Sequence, residues 1–344
     1  MALVGYGLAG RVYHAPLITS VDAMLLSTVV TSDPERAERV RADHPNARVV
    51  PDVGTLLADA DDYDLVVVAT VNDAHVPVAS AALEAGLPVV VDKPLAVTSH
   101  DAQALVDFAA SRRLLLTVFQ NRRYDSDQWT LRALLARGQL GIVLRYESRF
   151  ERWRPELTAG KWRETTPASQ GGGMLLDLGS HVVDQAIALF GAVTSVYGEV
   201  DARRGSADDD AFIALRHASG VYSHLWVSSM AAAPGPRLRV LGTDGAYVID
   251  ALDGQEEALR SGLTPGSAGW GEEPREKWGR LVRGDEQTLV PSERSTWDEF
   301  YPSIAAALRD DAPPPVDPRD AVEVLRVLEA VRSSARERRV IALR

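Results

Sequence analysis

Two segments of the sequence combine side chains that can move a proton and stabilise developing charge. Lys93 follows the apolar residues 88–91 and precedes Pro94, and a lysine placed there can hydrogen-bond a hydroxyl group and lower its proton affinity. Asp177 and His181 are four residues apart, so that in a helix they share one face. Histidine is the usual proton acceptor near neutral pH, and a carboxylate one turn away can orient its ring. These residue types favour general acid–base chemistry at an alcohol.

A third polar segment, Gln120-Asn121-Arg122-Arg123-Tyr124-Asp125, follows the sixth predicted strand, where two domains are expected to meet. Amide and guanidinium groups there suit a hydroxylated substrate. The segment also fits a hydrogen-bonded hinge, just as Lys93 fits a surface residue and Asp177 with His181 fits a surface pair. A metal site is not expected, since neither a second histidine nor a third ligand accompanies that pair. The predicted substrate contacts are Lys93, Asn121, Arg122, Arg123, Arg163, Asp177 and His181.

The sequence Gly5-Tyr6-Gly7-Leu8-Ala9-Gly10 fits the pattern G-x-G-x-x-G, directly after the first predicted strand and before a helical segment. In a dinucleotide-binding loop Gly5 allows the tight turn, Gly7 lets the backbone approach the pyrophosphate, and Gly10 lets the helix pack closely on the strand. The helix N-terminus then faces the phosphates. A glycine turn without a ligand is the alternative. The predicted loop contacts are Gly5, Gly7, Leu8, Ala9 and Gly10.

The end of the second predicted strand bears on the choice between the two nicotinamide cofactors, because an acidic residue there binds the ribose 2′-hydroxyl of NAD. The small residues Thr31 and Ser32 occupy this position, Asp33 follows, and Arg36 can reach a 2′-phosphate. Asp33 before Pro34 also fits a helix N-cap. We therefore favour NADP, with NAD as the alternative. Further predicted cofactor contacts are Thr70, Asn72, His75, Asp92 and Lys93.

Residues 1–120 alternate short, continuously apolar runs with helix-length segments. Strands that are apolar throughout and separated by helices indicate parallel strands buried on both faces. The predicted fold class is α/β, with a doubly wound Rossmann domain over residues 1–120 that binds NAD(P). We predict strands at residues 2–5, 25–31, 48–50, 65–70, 88–91 and 114–118, and helices at residues 34–43, 75–85 and 99–112.

Residues 121–344 have a different pattern, in which short turns join partly alternating strands and so favour antiparallel neighbours. We predict an α+β domain with an open, mostly antiparallel sheet, which binds substrate. Asp208, Asp209 and Asp210 are predicted to form an exposed turn. The predicted strands are at residues 142–153, 195–201, 211–217, 221–229, 237–241 and 247–250, and the helices at residues 125–137, 296–309 and 320–338.

The charge and composition narrow the class of protein. The 344 residues carry a net charge of −11, from 37 Lys and Arg against 48 Asp and Glu, which argues against a nucleic-acid partner. The absence of cysteine excludes disulfides, thiolate metal sites and a cysteine nucleophile. No secretion signal is visible and the apolar stretches are too short to cross a membrane, so we expect a cytoplasmic location and no membrane partner.

Taken together, these motifs resemble one family of oxidoreductases. The combination of Gly5-x-Gly7-x-x-Gly10, Asp92-Lys93-Pro94 and Asp177-x-x-x-His181 resembles the glucose–fructose oxidoreductase/inositol dehydrogenase/MocA (Gfo/Idh/MocA) family over nearly the whole chain. Asp92 stands where the family more often has glutamate. Five further motifs look like its branch of NADP-dependent scyllo-inositol dehydrogenases: residues 10–17, 120–123, 163–164, 177–181 and 253–256.

The resemblance implies functions for individual residues and for the chain. Lys93 is expected to bind the substrate, His181 to be the catalytic acid and base, and Asp177 to contact the substrate. The implied reaction is NAD(P)-dependent hydride transfer at a secondary hydroxyl of a polyol or sugar, with scyllo-inositol or a related inositol favoured. The alternatives are another sugar or amino-sugar dehydrogenase, a sugar oxidoreductase with a tightly bound cofactor, and a non-catalytic NAD(P)-sensing regulator. A homodimer or homotetramer formed through the C-terminal sheet is also implied.

Overall fold

The chain folds into two units, seen in a computed structural model that describes residues 1–158, 160, 162–310 and 312–343. We call them unit 1 and unit 2. The first 120 residues share unit 1 with two segments from later in the chain. Unit 1 contains Met1–Gln120, Gln255–Trp270 and Trp297–Val322, and unit 2 contains Asn121–Gly254, Gly271–Thr296 and Glu323–Arg344.

Strands and helices alternate along the first 120 residues: β1 (Ala2–Val4), α1 (Ala15–Thr19), β2 (Thr28–Val30), α2 (Pro34–Asp43), β3 (Arg48–Val50), α3 (Val53–Leu57), β4 (Val66–Val68), α4 (His75–Glu84), β5 (Val89–Asp92), α5 (Ser99–Arg112) and β6 (Leu116–Phe119). A π-helical segment, Ala9–His14, leads into α1. The six strands pair in parallel in the order β3-β2-β1-β4-β5-β6. The predicted doubly wound α/β sheet is confirmed.

The strands of this sheet form because their residues are apolar on both faces. The three valines of β4 and the three of β5 are at most 1% exposed, which is the burial expected for parallel strands covered by helices. Thr98 caps the N-terminus of α5 by accepting a hydrogen bond from the N–H of Asp101. Because all six strands run the same way, the loops that follow them lie at one edge of the sheet, where such sheets bind ligands.

The remaining elements are α6 (Ser126–Ala136), β7 (Val143–Glu151), α7 (Trp162–Thr165), α8 (Met174–Asp177), α9 (Gly179–Phe190), β8 (Val193–Asp201), β9 (Asp210–His217), β10 (Tyr222–Ser228), β11 (Leu238–Gly242), β12 (Ala246–Ile249), α10 (Gln255–Arg260), β13 (Gly279–Arg283), β14 (Glu286–Val290), α11 (Phe300–Asp310), α12 (Pro318–Glu337) and β15 (Ile341–Ala342). Of these, α10 and α11 belong to unit 1. Within the described residues, no helix is both long enough and apolar enough to cross a lipid bilayer.

The sheet of unit 2 has nine strands in the order β14-β13-β12-β11-β7-β10-β9-β8-β15. Its neighbouring strands are antiparallel except for β7 and β10, which confirms the predicted, mostly antiparallel sheet. The hairpin of β13 and β14 was not predicted. The edge strand β14 is largely exposed, so its sequence lacks the alternation of apolar and polar residues that marks a half-buried strand.

Candidate active site

The glycine-rich loop after β1 has the geometry of a dinucleotide-binding turn. Gly5 adopts φ +98°, and a Cβ there or at Gly10 would clash with a backbone carbonyl oxygen, of Ala69 and of Gly5 respectively. By contrast, no described atom lies within 4 Å of a Cβ built at Gly7. The loop therefore leaves bare backbone and open space where a pyrophosphate is expected, and these residues fit a dinucleotide. The other predicted loop contacts are accessible to a ligand: Leu8 and Ala9.

The loop after β2 carries the residues predicted to distinguish NADP from NAD. Asp33 caps α2, because its Oδ1 accepts a hydrogen bond from the N–H of Arg36 at 3.1 Å, and its Oδ2 lies 3.4 Å from Arg36 Nε. The N-cap interpretation of Asp33 is therefore confirmed. Ser32 and Arg36 are exposed, and Thr31 is half-buried and accepts a hydrogen bond from the N–H of Asp33 at 3.3 Å. The carboxylate of Asp33 is thus engaged with its own helix.

The loop after β5 contains Asp92, Lys93 and Pro94, and the Lys93–Pro94 peptide bond is cis. Lys93 is half-buried, whereas Asp92 is buried and accepts a hydrogen bond from the N–H of Lys93 at 2.9 Å. Burial acts to raise the pKa of the Asp92 carboxyl, but the imidazole of His14 beside it and the positive charge of Lys93 hold it below its ordinary value. Asp92 therefore carries a negative charge directly beneath the backbone of Lys93.

His75, the first residue of α4, links the loops after β4 and β5. Its ring is buried, with Nδ1 2.7 Å from the carbonyl oxygen of Pro94 and Nε2 3.3 Å from that of Thr70. Asn72 is buried as well, and Thr70 is half-buried. The buried ring of His75 thus connects the backbone of Thr70 to the loop that carries Lys93.

Asp177 and His181 lie on two consecutive helices rather than on one. α8 ends at Asp177 and α9 begins at Gly179, so the expected single helix with the two residues one turn apart is wrong. A Cβ at Gly179 would lie within 3.3 Å of two leucine side chains, which explains the close packing at the break. His181 is buried in the first turn of α9, and Asp177 lies 3.4 Å from Nε of Arg163. The predicted substrate contacts Asp177 and Arg163 are therefore paired.

The glycines before α8 are required by close contacts of the backbone. A Cβ at Gly172 would clash with the carbonyl oxygen of Thr166, and one at Gly173, whose φ is +94°, would clash with the carboxylate of Asp208. Asp208 Oδ1 accepts a hydrogen bond from the N–H of Leu175 at 2.6 Å. Asp208 thus binds the N-terminus of the helix that carries Asp177, a function that the sequence did not reveal.

The predicted exposed turn at Asp208, Asp209 and Asp210 is wrong, because the first two residues are buried and Asp210 is half-buried at the start of β9. Asp208 is 7% exposed and Asp209 only 1%. Asp208 pairs with Arg332 at 2.9 Å, and Asp209 pairs with Nε of Arg204 at 3.0 Å. Buried carboxylates need such partners. Arg204 is close to Asp209 in the sequence, whereas Arg332 is distant from Asp208, so a local pattern does not reveal that pair.

Residues 121–125 lie against α9. Arg123 forms a two-fold ion pair with Asp184, with distances of 2.7 and 2.6 Å. Gln185 donates a hydrogen bond to the carbonyl oxygen of Arg122 at 2.8 Å, and the guanidinium of Arg122 lies 3.5 Å from Asp125. Arg123 therefore fixes α9 one turn beyond His181, and Arg122 retains partial exposure.

Phe150 of β7 packs among three functional side chains. Its ring lies edge-on to His181 with centroids 6.1 Å apart, and the guanidinium carbons of Arg122 and Arg237 lie 5.6 and 4.2 Å from its centroid. Asn121, another predicted substrate contact, is buried. The aromatic ring of Phe150 is thus in contact with two cations and with the candidate base.

Arg237, which sequence reasoning missed, is buried at the centre of a polar network. Its Nε lies 3.1 Å from Oδ2 of Asp127, and it donates hydrogen bonds to Ser148 at 2.5 Å and to Gln185 at 2.9 Å. Burial raises the pKa of Asp127, and the charge of Arg237 opposes that rise. Since Gln185 lies one turn after His181, Arg237 supports the helix of the candidate base.

Comparison with known proteins decides the family. Residues 1–120 match the model described as "Oxidoreductase family, NAD-binding Rossmann fold", and residues 132–343 match the family's "C-terminal alpha/beta domain". The chain belongs to the Gfo/Idh/MocA family. It is accordingly an oxidoreductase with an NAD-binding Rossmann domain, and the resemblance inferred from its motifs is confirmed.

The similarity extends over full-length relatives. The chain is 34% identical to a scyllo-inositol 2-dehydrogenase (NADP(+)) of Bacillus subtilis, covering 100% of this chain and 95% of that protein. It is 38% identical to an oxidoreductase of Escherichia coli, YdgJ, over 100% and 98%. Among solved structures, an oxidoreductase of Bacillus subtilis superposes with a TM-score of 0.93 at 34% identity, covering 100% of this chain and 97% of that one.

Proposed function

We propose that this oxidoreductase is an NAD(P)-dependent dehydrogenase acting on a secondary hydroxyl of a polyol or sugar, with an inositol as the favoured substrate. The observation that carries the proposal is the set of three polar residues at the ends of their elements. Lys93 follows β5 of the nucleotide-binding sheet, Asp177 ends α8 and His181 lies in the first turn of α9. General acid–base chemistry at an alcohol needs these groups: a base, a cation and an acceptor for a neighbouring hydroxyl.

In this proposal each residue has a separate task. When bound, the nicotinamide supplies the hydride acceptor. His181 takes the proton from the reacting hydroxyl, and the ammonium of Lys93 donates a hydrogen bond to the same oxygen. Hydride departs readily from carbon only if the negative charge that builds on oxygen is stabilised, so both groups are needed in the transition state. Asp177, oriented by Arg163, accepts a hydrogen bond from a neighbouring hydroxyl.

The proposed substrate class follows from the polar side chains and from the relative of stated activity. Arg122, Arg163 and Asp177 offer donors and acceptors that suit a ring bearing several hydroxyls. The similarity to the NADP(+)-dependent scyllo-inositol 2-dehydrogenase favours inositols over other polyols. Another sugar or amino-sugar dehydrogenase, a sugar oxidoreductase with tightly bound cofactor, and a cofactor-sensing regulator are the alternatives that the assay below separates.

We further propose NADP as the preferred cofactor. The carboxylate of Asp33 caps α2, while Ser32 and Arg36 are exposed at the end of β2. A 2′-phosphate is favoured by a hydroxyl and a guanidinium, and disfavoured by a free carboxylate. Arg36→Ala should therefore raise the KM for NADP while leaving the KM for NAD nearly unchanged. An equal effect on both cofactors would contradict this preference.

The deciding assay measures initial rates with each cofactor and a panel of inositols and aldoses. Turnover of inositols with NADP supports the proposal, and turnover of aldoses alone indicates another sugar dehydrogenase. Cofactor retained through purification indicates the tightly bound type, and NADPH binding without turnover of any polyol indicates a regulator. His181→Ala should lower kcat about 100- to 10,000-fold, as loss of a general base does. His217→Gln, a buried histidine elsewhere in unit 2, is the matched control and should retain kcat.

We also propose that a second copy of the chain binds the face of the unit 2 sheet that carries Phe212, Trp226 and Tyr222. Phe212 and Trp226 pack with ring centroids 5.1 Å apart, and Tyr222 is 45% exposed. Phe212 and Trp226 are half-buried, and aromatic clusters that stay partly accessible on a sheet face are typical of interfaces. The proposal predicts a dimer or tetramer by light scattering, and Trp226→Glu should shift the mass toward the monomer. A monomeric wild-type chain would refute it.

A further inference from the structure

Three buried polar side chains of unit 1 form a chain beneath the loop that carries Lys93. Tyr301 of α11 and His14 are 0% exposed, and Asp92 is 5% exposed. The hydroxyl of Tyr301 lies 2.6 Å from Nδ1 of His14, and Nε2 of His14 lies 3.8 Å from Oδ1 of Asp92. The ring of Phe119 covers His14, with centroids 4.5 Å apart. This chain of contacts has no part in the mechanism described above.

The charges of Tyr301 and Asp92 follow from their surroundings. Burial and the charge of Asp92 raise the pKa of Tyr301 well above its ordinary value, so its hydroxyl keeps its proton. The pKa of Asp92 is lowered, so this carboxylate is ionised and faces the imidazole of His14. The imidazole therefore lies between a phenol hydroxyl at Nδ1 and a carboxylate at Nε2.

The chain ends at the backbone of Lys93. The same Oδ1 of Asp92 that faces His14 accepts the hydrogen bond from the N–H of Lys93 at 2.9 Å. On the other side of Lys93, the carbonyl oxygen of Pro94 lies 2.7 Å from Nδ1 of His75. Two buried imidazoles therefore hold the backbone around the lysine. His75 contacts the carbonyl oxygen of Pro94 directly, and His14 acts through the carboxylate of Asp92. Side chains locked by such contacts hold a functional group in its productive geometry.

We propose that Tyr301 and His14 are positioning residues for Lys93, which they orient through the carboxylate of Asp92. The inference rests on the proposed function, since Lys93 is the proposed substrate-binding cation. Neither residue is accessible to the substrate or the cofactor, because both are completely buried. The sequence separates Tyr301 from Lys93 by about two hundred residues, so the tertiary fold alone creates this contact.

The test uses Tyr301→Phe in the full-length chain, a change that removes one hydroxyl and keeps the ring. Tyr63→Phe is the matched control, because its hydroxyl makes a buried hydrogen bond of 2.9 Å with Thr28 at the opposite end of the same sheet. For Tyr301→Phe we expect kcat to fall about three- to tenfold and NADPH affinity to change less than about twofold, the size of one lost buried hydrogen bond. We expect amide hydrogen exchange of residues 91–93 and 95 to accelerate about tenfold. Tyr63→Phe should alter neither kcat nor that exchange.

A double-mutant cycle with His14→Gln separates positioning from general packing. If Tyr301 acts only through His14, the double variant should be no slower than His14→Gln alone. Multiplying effects would overturn the proposal, and so would Tyr301→Phe with the kcat and amide exchange of the control. Should His14→Gln fail to fold, exchange and kcat in Tyr301→Phe decide alone. If no polyol is turned over by the wild type, the proposed function fails, whereas the exchange at Lys93 still tests the buried chain of contacts.

Discussion

Replacing Arg237 by methionine tests whether the buried network behind His181 is held together by charge. Methionine has a similar volume, so the variant removes the guanidinium and leaves little void. The guanidinium is 1% exposed at the side chain, makes an ion pair with Asp127, donates to Ser148 and Gln185, and lies over Phe150. Its loss therefore strands a buried carboxylate and unpairs two hydrogen-bonding groups at once.

The expected loss of stability at pH 8 is about 3–5 kcal/mol, because removing one partner of a buried ion pair leaves an uncompensated charge. Arg239→Met is the matched control. Arg239 pairs with Glu147 but is 44% exposed, and Glu147 keeps a second partner, Arg149, at 2.9 Å. The control should lose about 1 kcal/mol or less, as exposed ion pairs do. Urea unfolding of both variants and the wild type measures these differences.

The pH dependence of the stability difference distinguishes a loss of charge from a loss of packing. Burial already raises the pKa of Asp127 in the folded protein, and without Arg237 it must rise further. A carboxyl whose pKa is raised on folding destabilises the folded state fully above the folded pKa. This cost decreases as pH falls below the folded pKa, and it is absent only below the unfolded value near 4. The stability difference between Arg237→Met and the wild type should therefore shrink between pH 8 and pH 5. A difference that is independent of pH, or no larger than that of Arg239→Met, would refute the reasoning.

Three further predictions concern the loops that form the site. Gly10→Ala should lower the melting temperature, because its Cβ would clash with a backbone carbonyl, whereas Gly7→Ala should leave it unchanged and weaken NADPH binding in a fluorescence titration. Asp208→Ala should cost about 2 kcal/mol in thermal unfolding, the upper range for a lost helix cap, and Asp210→Ala, at a half-exposed position, clearly less. The pKa of Asp92 is lowered on folding, so its carboxylate contributes stability above the unfolded value near 4 and loses it as pH falls through the folded pKa. Asp92→Asn should therefore reduce the loss of stability at acid pH, measured by unfolding at several pH values.

Much of unit 1 could be predicted because its determinants are local. The valine runs of β4 and β5 predict strands buried on both faces. The predicted and observed bounds of α2 and α5 coincide. The glycine loop is equally local. The positive φ belongs to Gly5 itself, and the Cβ that Gly10 lacks would clash with the carbonyl oxygen of Gly5. In unit 2 the interior strands were found for the same reason, while the exposed edge strand β14 was not.

The candidate site was only partly accessible in this way. The types and order of Lys93, Asp177 and His181 could be identified, but the break between α8 and α9 could not, because packing of Gly179 against leucine side chains helps to set it. The pairing of Arg123 with Asp184 and of Arg163 with Asp177 could not be predicted either, although both arginines had been proposed as substrate contacts.

The sequence by itself determined the fold of the nucleotide-binding half, since periodicity, glycine spacing and helix caps act between residues close along the chain. It also supplied the residues proposed to react. Only the tertiary structure decided which distant residue pairs with each buried charge: Arg237 with Asp127, Asp208 with Arg332, and His14 with Asp92 and Tyr301. A buried charge needs a partner, but burial is a property of the whole fold, and many carboxylates and arginines could serve. The choice of partner therefore depends on the three-dimensional fold.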